Sequence, residues 1–225
     1  MKDVKSITDI IQQARLEAKR TEICRRKSIS PEQFRELFII RATQVMEERR
    51  VFSNFVIDNE NSQVLNLFYQ YVVMNAEKIN PVIGIILNGR YGCGKSIAIS
   101  ALCRVLNDLR HPKDDAIVEY HALELCELIL ENGVTPYARI PLLIQDIGKE
   151  MKSAKSWGTD RSPLTELFAT RSEYGSLTFG SMNYSKEDFE KNYKSLGKRV
   201  FEHVTIIFLP GENRRKDFSI NQPKN

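Results

Sequence analysis

The 225-residue sequence predicts an α/β fold that is built on a largely parallel β-sheet. Three observations support this prediction. Five short apolar runs have the length of strands, amphipathic segments of helical length separate them, and a glycine-rich turn joins the first run to the first helical segment. The predicted strands span residues 82–88, 116–120, 141–146, 177–181 and 205–209. The predicted helices between them span residues 95–109, 121–131, 163–174 and 185–203.

The first fifth of the chain differs from this pattern, because residues 1–50 are predicted to be helical and contain no glycine. Ser30, Pro31 and Gln33 suit the N-cap, the first and the third position of a helix that continues through residues 34–48. A further helix is predicted over residues 63–78. The predicted organisation is a helical module at 1–50, a linker with a lead-in helix at 51–80, an α/β domain at 81–218 and a flexible tail at 219–225.

Composition and charge limit the classes of function. The apolar runs are shorter than the roughly 18 residues of a membrane span, so no membrane partner is expected. The N-terminus lacks an apolar leader, and Cys24, Cys93, Cys103 and Cys126 are scattered, which predicts free thiols in a cytoplasmic protein. Residues 1–50 account for the whole net charge of +4. This excess fits a nucleic acid, an acidic protein surface, or an ordinary solvated helix.

The glycine-rich turn carries the most specific motif in the sequence. It has the complete pattern G-x-x-x-x-G-K-S of a phosphate-binding loop, placed between a strand and a helix. Lys95 is expected to reach the β- and γ-phosphates, and the Ser96 hydroxyl is expected to bind Mg²⁺. ATP and Mg²⁺ are therefore the predicted cofactors. The predicted nucleotide-binding residues are Gly89, Arg90, Tyr91, Gly92, Cys93, Gly94, Lys95, Ser96 and Ile97.

A second motif follows the strand at 141–146, which ends in Gln145 and Asp146. In phosphate-loop NTPases this strand commonly ends in two acidic residues, of which the first serves the metal and the second the attacking water. Here Gln145 is neutral, so Asp146 is the predicted metal and water residue, and hydrolysis is expected to be slow. Asn183 and Arg214, which follow later strands, are the predicted contacts of the γ-phosphate.

Taken together, these segments resemble the AAA+ replicative-helicase loaders of the DnaC/DnaI type, with the IstB-type transposase helpers as close relatives. The resemblance covers residues 51–216. The segments that carry it are 52–59 before the nucleotide site, 89–96 (Walker A), 142–150 (Walker B), 178–183 (sensor 1), 197–200 (arginine finger) and 211–215 (sensor 2).

The resemblance implies an AAA+ domain with a five-stranded parallel sheet in the order 5-1-4-3-2. It implies that residues 1–50 bind a protein partner, which in loaders is the hexameric replicative helicase. It also implies ATP-dependent self-association, in which Arg199 reaches the nucleotide of a neighbouring subunit. The sequence departs from the family at Gln145 and at His203, where some members carry a second arginine.

Three functions remain open at this point. The first is an ATP-switched loader that delivers a helicase to single-stranded DNA. The segment 149–161 suits such DNA, since it contains basic residues around Trp157, namely Lys149, Lys152, Lys155 and Arg161. An equally good interpretation of that loop is a solvated turn. The second function is a transposition accessory ATPase, and the third is a small-molecule kinase, which is the least favoured because the sequence offers no acceptor pocket.

Overall fold

The computed structural model describes residues 26–51, 54–150, 154–156, 159–184, 187–189, 191, 200 and 202–214. The helices are α1 (Pro31–Glu48), α2 (Ser62–Val72), α3 (Lys95–Leu109), α4 (Ala122–Asn132), α5 (Thr135–Ala138) and α6 (Pro163–Tyr174). The strands are β1 (Gly84–Asn88), β2 (Val118–His121), β3 (Leu142–Ile147), β4 (Ala154–Ser156), β5 (Thr159–Arg161), β6 (Thr178–Met182) and β7 (Val204–Phe208).

Five strands form one parallel sheet in the order β2-β3-β6-β1-β7. Numbered along the chain without the β4–β5 hairpin, this is the order 5-1-4-3-2 viewed from the other side, so the predicted fold class and strand order are confirmed. In the centre, Leu87 of β1 is paired with Ser181 of β6 and with Ile207 of β7. The carboxyl ends of β1, β3 and β6 therefore meet at one edge of the sheet, which we call the carboxyl edge. Ligands of open α/β sheets bind at this edge.

Helices cover both faces of the sheet, which explains why its strands are nearly continuous apolar runs. Successive strand residues point to opposite faces. Ile85 and Leu87 therefore lie in a core with residues of α1, α2 and α3, whereas Ile86 lies in a second core with residues of α4 and α6. The result is a three-layered α/β/α domain.

Helix α1 belongs to this domain. Its capping box forms as predicted, with the Ser30 hydroxyl accepting from the Gln33 N–H at 3.2 Å. Phe38 is fully buried, and its ring centroid lies 6.0 Å from that of Phe68 on α2. The Arg41 guanidinium donates to both carboxylate oxygens of Asp108 on α3, at 2.6 and 2.7 Å.

The predicted boundary at residue 50 therefore cuts through one hydrophobic core. Residues before α1 are also attached to the domain, because Arg26 donates to the Tyr71 carbonyl at 2.6 Å and the Lys27 N–H to the Leu109 carbonyl at 2.9 Å. If all of residues 1–50 formed a separate module, the core on the α3 side of the sheet would lose the cover that α1 provides. The part of that module that lies outside the described residues is 1–25.

The predicted element bounds are largely correct. Each of the five sheet strands begins within two residues of its prediction, and α3 and α6 have the predicted bounds. The lead-in helix over 63–78 is wrong at its end, because α2 stops at Val72 and Met74 turns the backbone into the left-handed region with φ 62°. The β4–β5 hairpin was predicted as a loop, and most of the helix over 185–203 lies outside the described residues.

The amino ends of β3 and β6, at the opposite edge from the phosphate loop, are held together by Arg171 of α6. The residue is only 2% exposed, and its guanidinium donates to three backbone carbonyls and one hydroxyl. The acceptors are Tyr137 O at 2.6 Å, Ile140 O at 2.8 Å, Leu177 O at 2.5 Å and Thr178 Oγ1 at 3.0 Å. Burial lowers the pKa of Arg171 to about 10. We call this contact the amino-edge cluster.

Candidate nucleotide-binding site

The phosphate loop connects β1 to α3 at the carboxyl edge. Gly92 and Gly94 have φ angles of 80° and 99°, which only glycine adopts without strain. A Cβ atom at Gly92 would lie 2.0 Å from Oδ1 of Asn213, so the loop also needs glycine there for close packing. At Gly94 a Cβ atom would meet no atom within 4 Å, so the backbone at the start of α3 is open to an approaching ligand. This is the geometry that the motif predicts.

Lys95 is the buried cation of the loop. Its side chain donates to the Arg90 carbonyl at 2.7 Å, and the residue is only 6% exposed. Burial lowers the pKa of Lys95, whereas the nearby Cys93 and Asp146 raise it. The first N–H groups of α3 have no acceptor within the helix, because an α-helix leaves its first four donors unpaired. The ammonium and these donors together form a positive cradle that suits a phosphate group.

Beneath the cradle, the side chains of Ser96, Gln145 and Ser181 form a hydrogen-bonded cluster with the backbone N–H of Asp146. The Ser181 hydroxyl of β6 donates to Gln145 Oε1 at 2.6 Å and accepts from the Asp146 N–H at 3.0 Å. Ser96 Oγ lies 3.3 Å from Ser181 Oγ. Gln145 is fully buried. The structure therefore brings Ser96, Gln145 and Asp146 together, as the two motifs predict, and adds Ser181 as the group that joins them.

Gln145 has a second set of contacts on its amide nitrogen. Nε2 donates to the Ser96 carbonyl at 3.2 Å, to Ser100 Oγ at 2.8 Å and to Glu119 Oε1 at 2.9 Å. The same Glu119 oxygen accepts from Ser100 Oγ at 2.8 Å and from the Arg49 guanidinium at 3.0 Å. A carboxylate therefore lies beside the neutral Gln145, but it comes from the neighbouring strand β2.

Asp146 leaves the strand direction at this point. The pairing of β3 with β6 shifts register between Ile144 and Ile147, and Asp146 has a φ of 58°, a left-handed backbone that is uncommon for aspartate. Its Oδ1 lies 3.0 Å from Nζ of Lys149, and that ammonium lies 5.5 Å from the Tyr91 ring centroid. The bulge thus separates the roles of the two residues, with Gln145 facing the core and the Asp146 carboxylate near Lys149 at the loop.

The segment after β7 closes the other side of the loop. The Arg214 N–H donates to the Gly92 carbonyl at 3.0 Å, which places this predicted γ-phosphate contact beside the loop. Its guanidinium, however, pairs with Asp58 at 2.6 Å and with Glu60 at 2.8 Å. Asn183 is exposed directly after β6. Arg199 lies outside the described residues.

Comparisons with known proteins agree with this architecture. The DnaC helicase loader superposes with a TM-score of 0.54 at 15% identity, over 69% of this chain and 93% of that one. AMPPCP-bound DnaA from Aquifex aeolicus superposes with a TM-score of 0.51 at 14% identity, over 72% of this chain and 50% of that one. This chain has the AAA+ fold. No protein-family model matches the sequence, and no curated protein matches it either.

The residues at the carboxyl edge of this AAA+ domain fit Mg²⁺ with a nucleotide. Mg²⁺ prefers oxygen ligands and is usually held by one or two protein groups together with phosphates and water. Ser96 Oγ and the Asp146 carboxylate are the oxygen donors next to the cradle. Within the described residues, no group of three or more His, Cys, Asp or Glu side chains forms a self-sufficient metal site. The donor set is therefore suited to a metal that arrives with ATP.

Two residues of the cluster were missed by sequence reasoning. Ser181 lies in the predicted sensor 1 segment, but the predicted site residue of that segment is Asn183, two residues later. Glu119 is a charged residue in an otherwise mixed strand, and only the pairing of β2 with β3 brings it next to Gln145. A charged residue that points from a short strand towards the phosphate-loop helix is the signal that could have found it.

A search of the described helices for a membrane span found none of sufficient length and hydropathy.

Proposed function

We propose that the protein is an ATP-binding, helicase-loader-like AAA+ switch that delivers a replicative helicase to single-stranded DNA and hydrolyses ATP slowly. The observation that carries the proposal is the assembly of Lys95, Ser96, Gln145, Asp146 and Ser181 at one edge of an AAA+ sheet. The chain superposes on the DnaC helicase loader over most of the length of the loader. The function of that protein is our reason to prefer loading over other uses of the fold.

In the proposed cycle the loop glycines and Lys95 hold the β- and γ-phosphates, and Ser96 and Asp146 hold Mg²⁺. The metal supplies charge neutralisation on the phosphate oxygens. Asp146 orients the water, but its carboxylate is already paired with Lys149 at 3.0 Å and has to give up that partner. Gln145 adds no negative charge. Slow turnover follows, which suits a protein whose ATP-bound form is the working state.

We assign the partner contact to the basic segment 1–25, which precedes the residues that are packed into the AAA+ domain. For DNA, the β4–β5 hairpin is the best candidate, because it follows β3 directly and so leaves from the carboxyl edge. Its basic sequence around Trp157 suits phosphate contacts and base stacking. Arg199 remains the proposed residue that completes the site of a neighbouring subunit.

Capture of a hexameric replicative helicase tests the proposal. The full-length chain with ATP should capture the helicase encoded by the same genome, and reversing the charge of Arg15 and Lys19 to Glu should abolish capture while ATP binding persists. The exposed residues Lys78 and Lys113 provide a control with the same change of charge, which should have no effect. Capture that survives the first change would remove segment 1–25 as the contact, and wild type that captures no helicase would contradict the loader function.

A further inference from the structure

We infer that Glu119 is a positioning residue that fixes the direction of the Ser96 hydroxyl through Gln145 and Ser181. The inference rests on the proposed function, because it concerns how the same site accepts a nucleotide together with its metal. It assigns to β2 a task that a carboxylate at the end of β3 would otherwise perform.

The first step is the orientation of the Gln145 amide. Glu119 Oε1 is surrounded by three donors, namely Gln145 Nε2, Ser100 Oγ and the Arg49 guanidinium, at 2.9, 2.8 and 3.0 Å. A carboxylate only accepts hydrogen bonds. A reversed amide would direct its oxygen at this carboxylate and at the Ser96 carbonyl, two acceptors at once. The amide nitrogen is therefore fixed towards Glu119, and the amide oxygen towards Ser181.

The second step is the direction of the two serine hydroxyls. The Gln145 oxygen can only accept, so Ser181 uses its single hydrogen for that bond at 2.6 Å. Towards the Ser96 hydroxyl, 3.3 Å away, Ser181 can then act only as an acceptor. The hydrogen of Ser96 therefore points to Ser181, and the lone pairs of Ser96 Oγ remain available to a cation at the phosphate loop.

This chain of hydrogen bonds, which we call the relay, also explains how β3 can carry the neutral Gln145 near its end. What the Ser96 hydroxyl requires is an acceptor behind it, and Ser181 provides one as long as Gln145 holds its own oxygen forward. Glu119 is the charged end of this chain of three hydrogen bonds. Arg49, which follows α1, donates to the same Glu119 oxygen and also to Ser100 Oγ at 3.2 Å, so the relay begins at the helix that packs on α3.

The test separates binding of the nucleotide from binding of its metal. A fluorescent ATP analogue is titrated into the full-length protein in EDTA and again at increasing Mg²⁺ concentration. For Glu119→Ala we expect unchanged affinity in EDTA, and a gain from Mg²⁺ that is about three- to tenfold smaller than in wild type, the effect of one misdirected hydrogen bond. Ser181→Ala breaks the chain of hydrogen bonds at its other end and should likewise reduce the gain from Mg²⁺.

A variant that moves the carboxylate from position 119 to position 145 distinguishes the relay from a merely structural role of Glu119. In the double variant Glu119→Ala/Gln145→Glu a carboxylate oxygen faces Ser181 regardless of β2, so the gain from Mg²⁺ should recover. The control is Glu48→Ala, which removes a carboxylate that bonds Arg104 at the α1–α3 interface and should leave both affinities unchanged. A full gain from Mg²⁺ in Glu119→Ala, or no recovery in the double variant, overturns the inference. Wild type that binds no nucleotide in either buffer overturns the proposed function itself.

Discussion

The two edges of the sheet each contain an arginine that joins distant segments, but the two arginines use different acceptors. At the amino edge Arg171 is buried and bonds backbone carbonyls, which neither ionise nor change rotamer. At the carboxyl edge Arg214 is 34% exposed and bonds the carboxylates of Asp58 and Glu60. The first arrangement fixes the ends of β3 and β6, whereas the second can be exchanged for another anion. The contact that stabilises the fold and the contact that is proposed to meet the nucleotide thus lie at opposite edges of the sheet.

The backbone follows the same division. Gly92, Gly94 and Asp146 have left-handed φ angles at the carboxyl edge. Of these three residues only Asp146 carries a side chain that makes the conformation strained, and strained residues of this kind are concentrated at functional sites. Around Asp146 the support comes from Ser181, whose hydroxyl accepts the Asp146 N–H. The amino-edge cluster therefore contributes stability, whereas the left-handed backbone of Asp146 at the carboxyl edge costs some of it.

The largest effect is expected from Arg171→Met. The methionine fills the space but leaves the Tyr137 and Ile140 carbonyls without their buried donor, so the free energy of unfolding should fall by about 3–5 kcal/mol. Urea unfolding followed by circular dichroism measures this. Arg104→Met is the control, because Arg104 pairs with the exposed Glu48 and should cost only about 0–1 kcal/mol. Equal losses in the two variants would contradict the separation of the edges.

Lys95→Ala is expected to affect ATP binding rather than stability. Removing the cation of the cradle should weaken ATP binding about tenfold or more, because a charge-assisted contact to phosphate is worth roughly 1.5–3 kcal/mol. Stability should change little, since the ammonium is already desolvated, and burial lowers its pKa. Titration with a fluorescent ATP analogue and thermal unfolding of the same sample test both parts. Lys78→Ala serves as the control, and equal affinity in wild type and Lys95→Ala would exclude this loop as the site.

Much of the fold could be predicted because its signals are local. Strand β1, the phosphate loop and α3 are specified by one apolar run, one glycine pattern and one helical pattern. The capping box at Ser30 fixes the start of α1 in the same way. The end of α2 was missed because the left-handed Met74 has no signature in the sequence. The packing of α1 was missed because a helical pattern does not indicate which surface the helix covers.

The residues of the candidate site also divide into those with a local sequence signal and those without one. Residues that follow one another, such as Lys95 and Ser96, were predicted from a motif. Glu119, Gln145 and Ser181 lie on three neighbouring strands, and their spacing along the chain carries no trace of their contact. Only the strand order β2-β3-β6 brings them together. The sequence therefore identifies the residues that are proposed to bind the phosphates, whereas the topology brings together the groups behind them.

The smallest effect is expected from a change at Arg214. The Arg214 guanidinium lowers the pKa of Asp58 below its usual value of 3.8, with help from the backbone N–H groups of Asn61 and Glu60. Because the folded-state pKa is depressed, this contact stabilises the protein above pH 3.8 and is lost as the pH falls through the lowered value. In Arg214→Ala we expect the pKa of Asp58 to rise towards 3.8 and the overall stability to change by less than about 1 kcal/mol.

Carboxyl-carbon NMR titration of Asp58 measures this shift. The pKa of Glu32, which is lowered by hydrogen bonds from its own backbone N–H and from the Ser30 hydroxyl, should not move and serves as the internal control. If Arg214 leaves Asp58 for a γ-phosphate, as its place beside Gly92 suggests, then adding an ATP analogue to wild type should raise the pKa of Asp58 in the same direction as the mutation. An Asp58 pKa that is insensitive to Arg214→Ala would show that the backbone donors alone lower it. The two arginines would then differ in burial, but not in their freedom to change partners.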